Sequence, residues 1–287
     1  MTVSKWTIIA LAAVTAIVLL VPLLVGELLT RPATQAIGPP PRDLGAVAIE
    51  LPAGRTGRVA GWFVQGRPGA GVVLLLHGVR ANRRQMLGRA RFLKAAGYST
   101  LLIDLPAHGE SAGDRITFGA RESHGVASAL DYLRQRLPHE KIAVIGISLG
   151  AASLVLARER PPLSAVVLES MYPTVTDAVA SRLAIRLGAA GEVLTPLLLW
   201  QLPVRLGVPV SALRPIDRVS TLGALLLIAS GTADRHTPWP QTQQLFARAG
   251  APKALWGLED VAHVDLHRAL PRAYEQRIVA FLAATLR

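Results

Sequence analysis

The chain contains no cysteine. That excludes disulfides, thiolate metal sites and a lipid-modified cysteine. It does not fix the compartment, because a disulfide-free protein is allowed anywhere. Acidic residues are scarce: 19 Asp and Glu face 31 Lys and Arg, leaving a net charge of +12, nearly all of the excess arginine. Such a balance attracts anionic lipid head groups or nucleic acid. No basic stretch interleaves with aromatics and no nucleic-acid motif is present, so nucleic acid is not an expected partner. Charged residues reach only 17% against 51% hydrophobic, which argues against disorder. There is no internal repeat and no low-complexity tract, so a solenoid is excluded.

What is present begins with an uncharged run, Thr7 to Val25, of 19 residues. This approaches the ~20 residues that span a bilayer as a helix. It is longer than the apolar core of most signal peptides, about 7–15 residues. Residues 1–30 are therefore expected to be a single-pass membrane anchor. The alternative is a signal peptide cut after the small-residue stretch Thr34-Gln35-Ala36, releasing a secreted or periplasmic protein. Pro32, Pro39, Pro40 and Pro41 make residues 31–43 a stiff linker.

From Leu44 onward strands and helices alternate. Eight runs read as strands: 46–51, 59–64, 71–76, 99–105, 141–145, 163–168, 224–229 and 254–258. The middle ones are continuously apolar, as in strands covered on both faces. Between them, helical stripes such as Leu87, Ala90, Leu93, Ala96 and Val126, Ala129, Leu130, Leu133, Leu137 recur. The expected architecture is an α/β, doubly wound, mostly parallel eight-stranded sheet. One segment, 173–221, breaks the alternation; it is apolar, broken by prolines, and carries Arg182, Arg186 and Arg205. It is expected to be a small helical cap whose Leu194, Leu197, Leu198 and Trp200 border the site.

The strongest local signal is Gly146-Ile147-Ser148-Leu149-Gly150, between an apolar strand and an apolar helix. Strand, G-x-S-x-G, helix is a nucleophile elbow: a strained turn that presents one serine above the end of the sheet. Ser148 then lies at a helix N-terminus, where backbone N–H groups can meet an oxyanion. A serine nucleophile needs a base and a group to orient it. Asp234 follows one strand and His263 the next, so both arrive at the carboxyl edge that holds Ser148. Glu169, after the preceding strand, competes with Asp234 for the acid role.

His77-Gly78, Asp104 to Ser111, Gly146 to Gly150, and Asp234 with His263, in that order, resemble the α/β-hydrolase superfamily. The branch is similar to the serine aminopeptidase/prolyl-oligopeptidase-like bacterial hydrolases. The resemblance covers Leu44 to Arg287 and implies an α/β-hydrolase fold. It also implies an oxyanion hole from the backbone N–H groups of Val79 and Leu149, with His77 shaping the turn. The Asp104–Ser111 segment departs from the family pattern D-x-R-G-x-G-x-S, since Pro106-Ala107 stands where Arg-Gly is usual.

The expected activity is that of a membrane-anchored serine hydrolase cleaving carboxylic esters, acting on a small-molecule or lipid-like acyl substrate. Catalytic residues are Ser148, Asp234 and His263. No metal and no organic cofactor is implied. A peptidase or acyltransferase on the same triad, or a non-catalytic membrane-tethered binding module, are the alternatives.

Overall fold

The computed structural model describes residues 4–54 and 57–286, without the side chains of residues 10, 12–19 and 192. Eight strands form one sheet: β1 (Val47–Pro52), β2 (Arg58–Val64), β3 (Val72–Leu76), β4 (Ser99–Ile103), β5 (Ile142–Ile147), β6 (Ala165–Glu169), β7 (Leu225–Gly231) and β8 (Lys253–Leu258). Their order is β8-β7-β6-β5-β3-β4-β2-β1. β2 is antiparallel to both β1 and β4, and every other pairing is parallel. The mostly parallel eight-stranded sheet is therefore as the sequence suggests.

The continuous apolar runs have a simple cause. Side chains alternate across a strand, so a strand covered on both faces must be apolar throughout. Val72, Leu74 and Leu76 of β3 join one core layer, while Val73 and Leu75 join the other. On one face lie α3 (Glu122–Arg136) and α4 (Leu149–Leu156), contributing Val126, Ala129, Leu130, Leu133 and Leu154. On the other lie α2 (Leu87–Ala96) and the final helix α10 (Pro271–Leu286), contributing Ala90, Leu93, Tyr274, Ile278 and Leu282.

Between β6 and β7 stand α5 (Val175–Leu187), α6 (Ala189–Leu199) and α7 (Leu202–Leu206). They bury their own small core of Val175, Val179, Leu198, Leu202, Leu206 and Leu213. α8 (Trp239–Arg248) follows β7, and the short α9 (Leu266–Ala269) precedes α10.

The N-terminal helix α1 runs from Lys5 to Thr30. Among the described residues, no helix is long and apolar enough to cross a membrane. The expected span at 7–25 is therefore not found among the described residues, and its side chains at 10 and 12–19 lie outside them. The C-terminal end of α1 is packed onto the inserted helices. Glu27 pairs with Arg115 at 2.7 Å and with Arg205, Gln201 Nε2 donates to Pro22 O at 2.7 Å, and Gly26 is buried against Gln201. The Pro-rich segment that follows is also held to the domain. Ala33–Thr34 pairs in parallel with His108–Gly109, Ile37 is buried, and Ile37 N donates to Glu110 Oε1 at 2.9 Å.

Candidate active site

Ser148 leaves β5 with φ 48° and ψ −105°, a left-handed backbone that a side chain rarely adopts. The surrounding chain forces this turn. A Cβ on Gly146 would lie 2.7 Å from Ala151 N, and one on Gly150 would lie 2.7 Å from both His77 O and Leu76 O. Strand, turn and helix thus approach too closely for any side chain at those two positions. Ser148 N donates to Glu169 O at 2.7 Å, pinning the turn to the neighbouring strand.

Leu149 opens α4, so its N–H has no acceptor inside the helix. Val79 follows Gly78, whose own N–H donates to Gln85 Oε1 at 2.8 Å. Among the described residues, neither the Val79 nor the Leu149 amide is engaged by a hydrogen bond. Both residues line the cavity, about 650 Å³ in volume, on which Ser148 opens. His77 stands back from it. It is fully buried, its Nε2 accepts from Leu105 N at 2.9 Å, and its Nδ1 lies 2.7 Å from Gly78 O. Burial first, and then the neighbouring His108, push its pKa down to about 3. A ring held neutral in this way braces the turn and has no free nitrogen with which to act as a base.

Asp234 and His263 meet. His263 Nδ1 lies 2.7 Å from Asp234 Oδ2, and the Asp234 carboxylate is fully shielded from solvent. Its other oxygen accepts from His236 N and Thr237 N, both at 2.8 Å. The carboxylate is thus aimed by two backbone donors at one ring nitrogen, leaving Nε2 without a hydrogen-bond partner among the described residues. Glu169 is committed elsewhere. Arg89 Nη2 reaches Glu169 Oε2 at 2.6 Å and Tyr274 Oη donates to Oε1, all of it buried. Asp265 caps α9 and joins the same arginine at 3.0 Å. Ser148 and His263 are not joined by a hydrogen bond, a separation common in unliganded sites.

Several residues at the site gave no usable signal in the sequence. Val25 and Leu29 of α1 line the Ser148 cavity. His236 lines it too, its ring 4.8 Å from that of His263. Burial, then the adjacent His263, lowers the pKa of His236. Its position two residues after Asp234 was the only hint of it. The inserted helices differ from expectation. Leu198 reaches the cavity, but Trp200 is 54% exposed and belongs to a separate outer groove with Thr195, Pro196 and Leu199. Leu194 is also exposed. Arg205 is turned to Glu27 and to Leu23 O.

A model of the alpha/beta hydrolase family matches residues 73–279. The chain belongs to the alpha/beta hydrolase family, and as an enzyme it is a serine hydrolase. Among curated proteins it is 25% identical to the uncharacterised YfhR of Salmonella typhi over 253 residues, covering 82% of this chain and 79% of that one. It is 28% identical to the uncharacterised Rv2307c of Mycobacterium tuberculosis over 257 residues, 88% of this chain and 83% of that one. The Pyrococcus furiosus esterase Pf2001 has the same fold, with a TM-score of 0.73 at 20% identity over 90% of this chain and 99% of that one.

Proposed function

We propose that the protein cleaves carboxylic esters through a Ser148–His263–Asp234 triad and an acyl-enzyme intermediate. The observation that carries the reading is the Asp234–His263 contact, set at the same sheet edge as the strained Ser148 elbow and its cavity. His263 Nε2 takes the proton from Ser148 Oγ as that oxygen attacks the acyl carbon. The carbonyl oxygen becomes an oxyanion met by the N–H groups of Val79 and Leu149. The carbon–oxygen ester bond breaks, and His263 returns its proton to the departing alcohol. Water then attacks the acyl-enzyme, giving its proton to His263. The carboxylic acid leaves and Ser148 Oγ is reprotonated. Asp234 keeps the imidazole in the correct tautomer and stabilises its charged form.

We also propose that α1 anchors the protein in a membrane as a single pass. The support is a helix of 26 residues whose uncharged run, 7–25, exposes Ile8, Ile9, Leu11, Leu20 and Leu24.

Active-site-directed fluorophosphonate tests the chemistry. Wild type is expected to label, and Ser148→Ala to lose both labelling and turnover, the latter by about 10⁴-fold or more. An unlabelled wild type points instead to a non-catalytic binding module. A panel of acyl esters against aminoacyl amides separates esterase from peptidase. Resistance of the full chain to carbonate extraction tests the anchor, and a mature N-terminus near Ile37 would overturn it.

A further inference from the structure

The cavity that opens on Ser148 has a feature that ester hydrolysis alone does not use. Its charged lining residues are Arg80, Arg182 and Arg186, and no carboxylate lines it. Arg80 is already engaged, its Nη2 donating to the carbonyls of Leu28 and Arg31. Arg182 is different. Its Nη1 donates to Ala178 O at 2.9 Å, one turn back on its own helix, and no carboxylate among the described residues pairs with it. The acidic groups that act on it electrostatically are the Tyr172 phenol, whose hydroxyl donates to Phe118 O, and Asp234, whose oxygens are taken by His263, His236 N and Thr237 N. Besides Ser148, Tyr172 and His236, the cavity it lines is walled by apolar side chains, among them Val25, Leu29, Val175, Val179 and Leu198. A cation in such surroundings is costly unless something neutralises it. Burial does pull its pKa down from the ordinary arginine value. Arg186 lies four residues further along α5, on the same helix face, and is exposed at the rim. The two arginines make a cationic row leading outward from an apolar chamber beside the nucleophile.

We propose that the site takes anionic amphiphiles: esters of an apolar acyl chain with an alcohol that carries a phosphate or carboxylate, the anion resting on Arg182 and Arg186. The proposal rests on Ser148 being the nucleophile. The acyl chain occupies the apolar wall that includes Val25 and Leu29. The guanidinium of Arg182 supplies the planar donor pair that a phosphate or carboxylate accepts. Hydrolysis consumes one water. The acyl–oxygen bond breaks, the acid takes the hydroxyl, and the anionic alcohol takes the proton.

The test uses the full-length chain and three octanoyl esters, kept below their micellar concentrations. One is the monoester of glycerol phosphate, the second that of glycerol, and the third that of a hydroxycarboxylic acid. The two anionic esters are expected to exceed the neutral one in kcat/KM by about tenfold or more, the range of a charge-assisted hydrogen bond. Arg182→Gln is expected to bring that ratio close to one, and Arg182→Lys to retain part of it. Inhibition of the wild type gives a reading that no variant's folding can obscure. Octyl phosphate is expected to inhibit at least tenfold more tightly than octanol. Glycerol phosphate, which has the anion but no chain, is expected to inhibit weakly; tight inhibition would mean a free phosphate site rather than an amphiphile site. Equal turnover of neutral and anionic esters, or a preference that survives Arg182→Gln, overturns the inference and leaves the ester-hydrolase reading intact. A chain that takes no fluorophosphonate and cleaves none of the three esters overturns both.

Discussion

Arg83 Nη1 lies 2.5 Å from Asp104 Oδ2, and both side chains are buried. Arg83 N donates to the other carboxylate oxygen at 2.7 Å, and its Nη2 reaches Glu110. The turn from Asp104 to Ser111 lacks the arginine its family pattern places at position 106. Asp104 is instead met by an arginine from a different segment, after β3, which also packs over the Trp62 ring at 4.6 Å. Arg83→Leu would leave Asp104 as a buried carboxylate without its counter-ion. The expected loss is about 3–5 kcal/mol, read from urea unfolding midpoints. A loss below about 1 kcal/mol would mean that the amides of Arg83 and Glu110 suffice to hold Asp104.

Asp234→Asn should leave the fold intact and lower kcat by about 10⁴-fold, as a wrong histidine tautomer does in the serine-protease template. Fluorophosphonate labelling should slow in parallel. Unchanged kcat would remove Asp234 from the mechanism, whatever its contact with His263.

Stability should fall on acidification from about pH 6.5, and His77 is a main cause. Its folded pKa of about 3 lies below the ordinary value of 6.5. Between the two, the unfolded chain binds a proton that the folded one refuses, so stability decreases as pH decreases. His108, whose pKa burial also lowers, acts with the same sign. At pH 4.5 the His77 share is roughly 3 kcal/mol. His77→Gln should flatten the pH dependence of unfolding free energy between pH 7 and 4.5. An unaltered slope would assign the acid sensitivity elsewhere.

The acyl-chain profile should respond to α1 and not to the outer groove. Within the series, each methylene buried against Val25 and Leu29 is worth about 0.8 kcal/mol, roughly fourfold in kcat/KM. Leu29→Trp should shorten the longest chain accepted, while Trp200→Ala, which alters a separate groove that Ser148 does not line, should leave the profile unchanged. The reverse pattern would place the chain in the outer groove.

The elbow was legible because its signal is local: an apolar strand, two glycines and an apolar helix lie within a dozen residues. The parallel sheet was legible because doubly covered strands must be apolar on both faces. Strand order brings Asp234 and His263 to the edge of Ser148 but leaves Glu169 a rival for the acid role, which the Asp234–His263 contact and the burial of Glu169 against Arg89 decide. What was not legible depends on contacts between distant segments. Nothing near Glu169 announces that Arg89, 80 residues earlier, neutralises it. Nothing near Asp104 points to Arg83. Trp200 reads as a site residue by composition, but it is exposed and lines a groove separate from the Ser148 cavity. The last two turns of α1 read only as the tail of an apolar run, although Gly26, Glu27 and Thr30 fit them to the domain.

That fit makes the N-terminal helix and the reaction cavity a single thermodynamic system. A molecule that binds between Leu29 and the wall of α5 more tightly when α1 is docked strengthens the grip of one on the other, and a stronger grip in return raises the affinity for that molecule by the same factor. An enzyme trimmed to begin after Thr30 would therefore differ in more than its location: it would have a wider mouth and a different chain-length preference. Occupancy could then be followed without any chemistry, as slower proteolysis of the segment joining α1 to the domain.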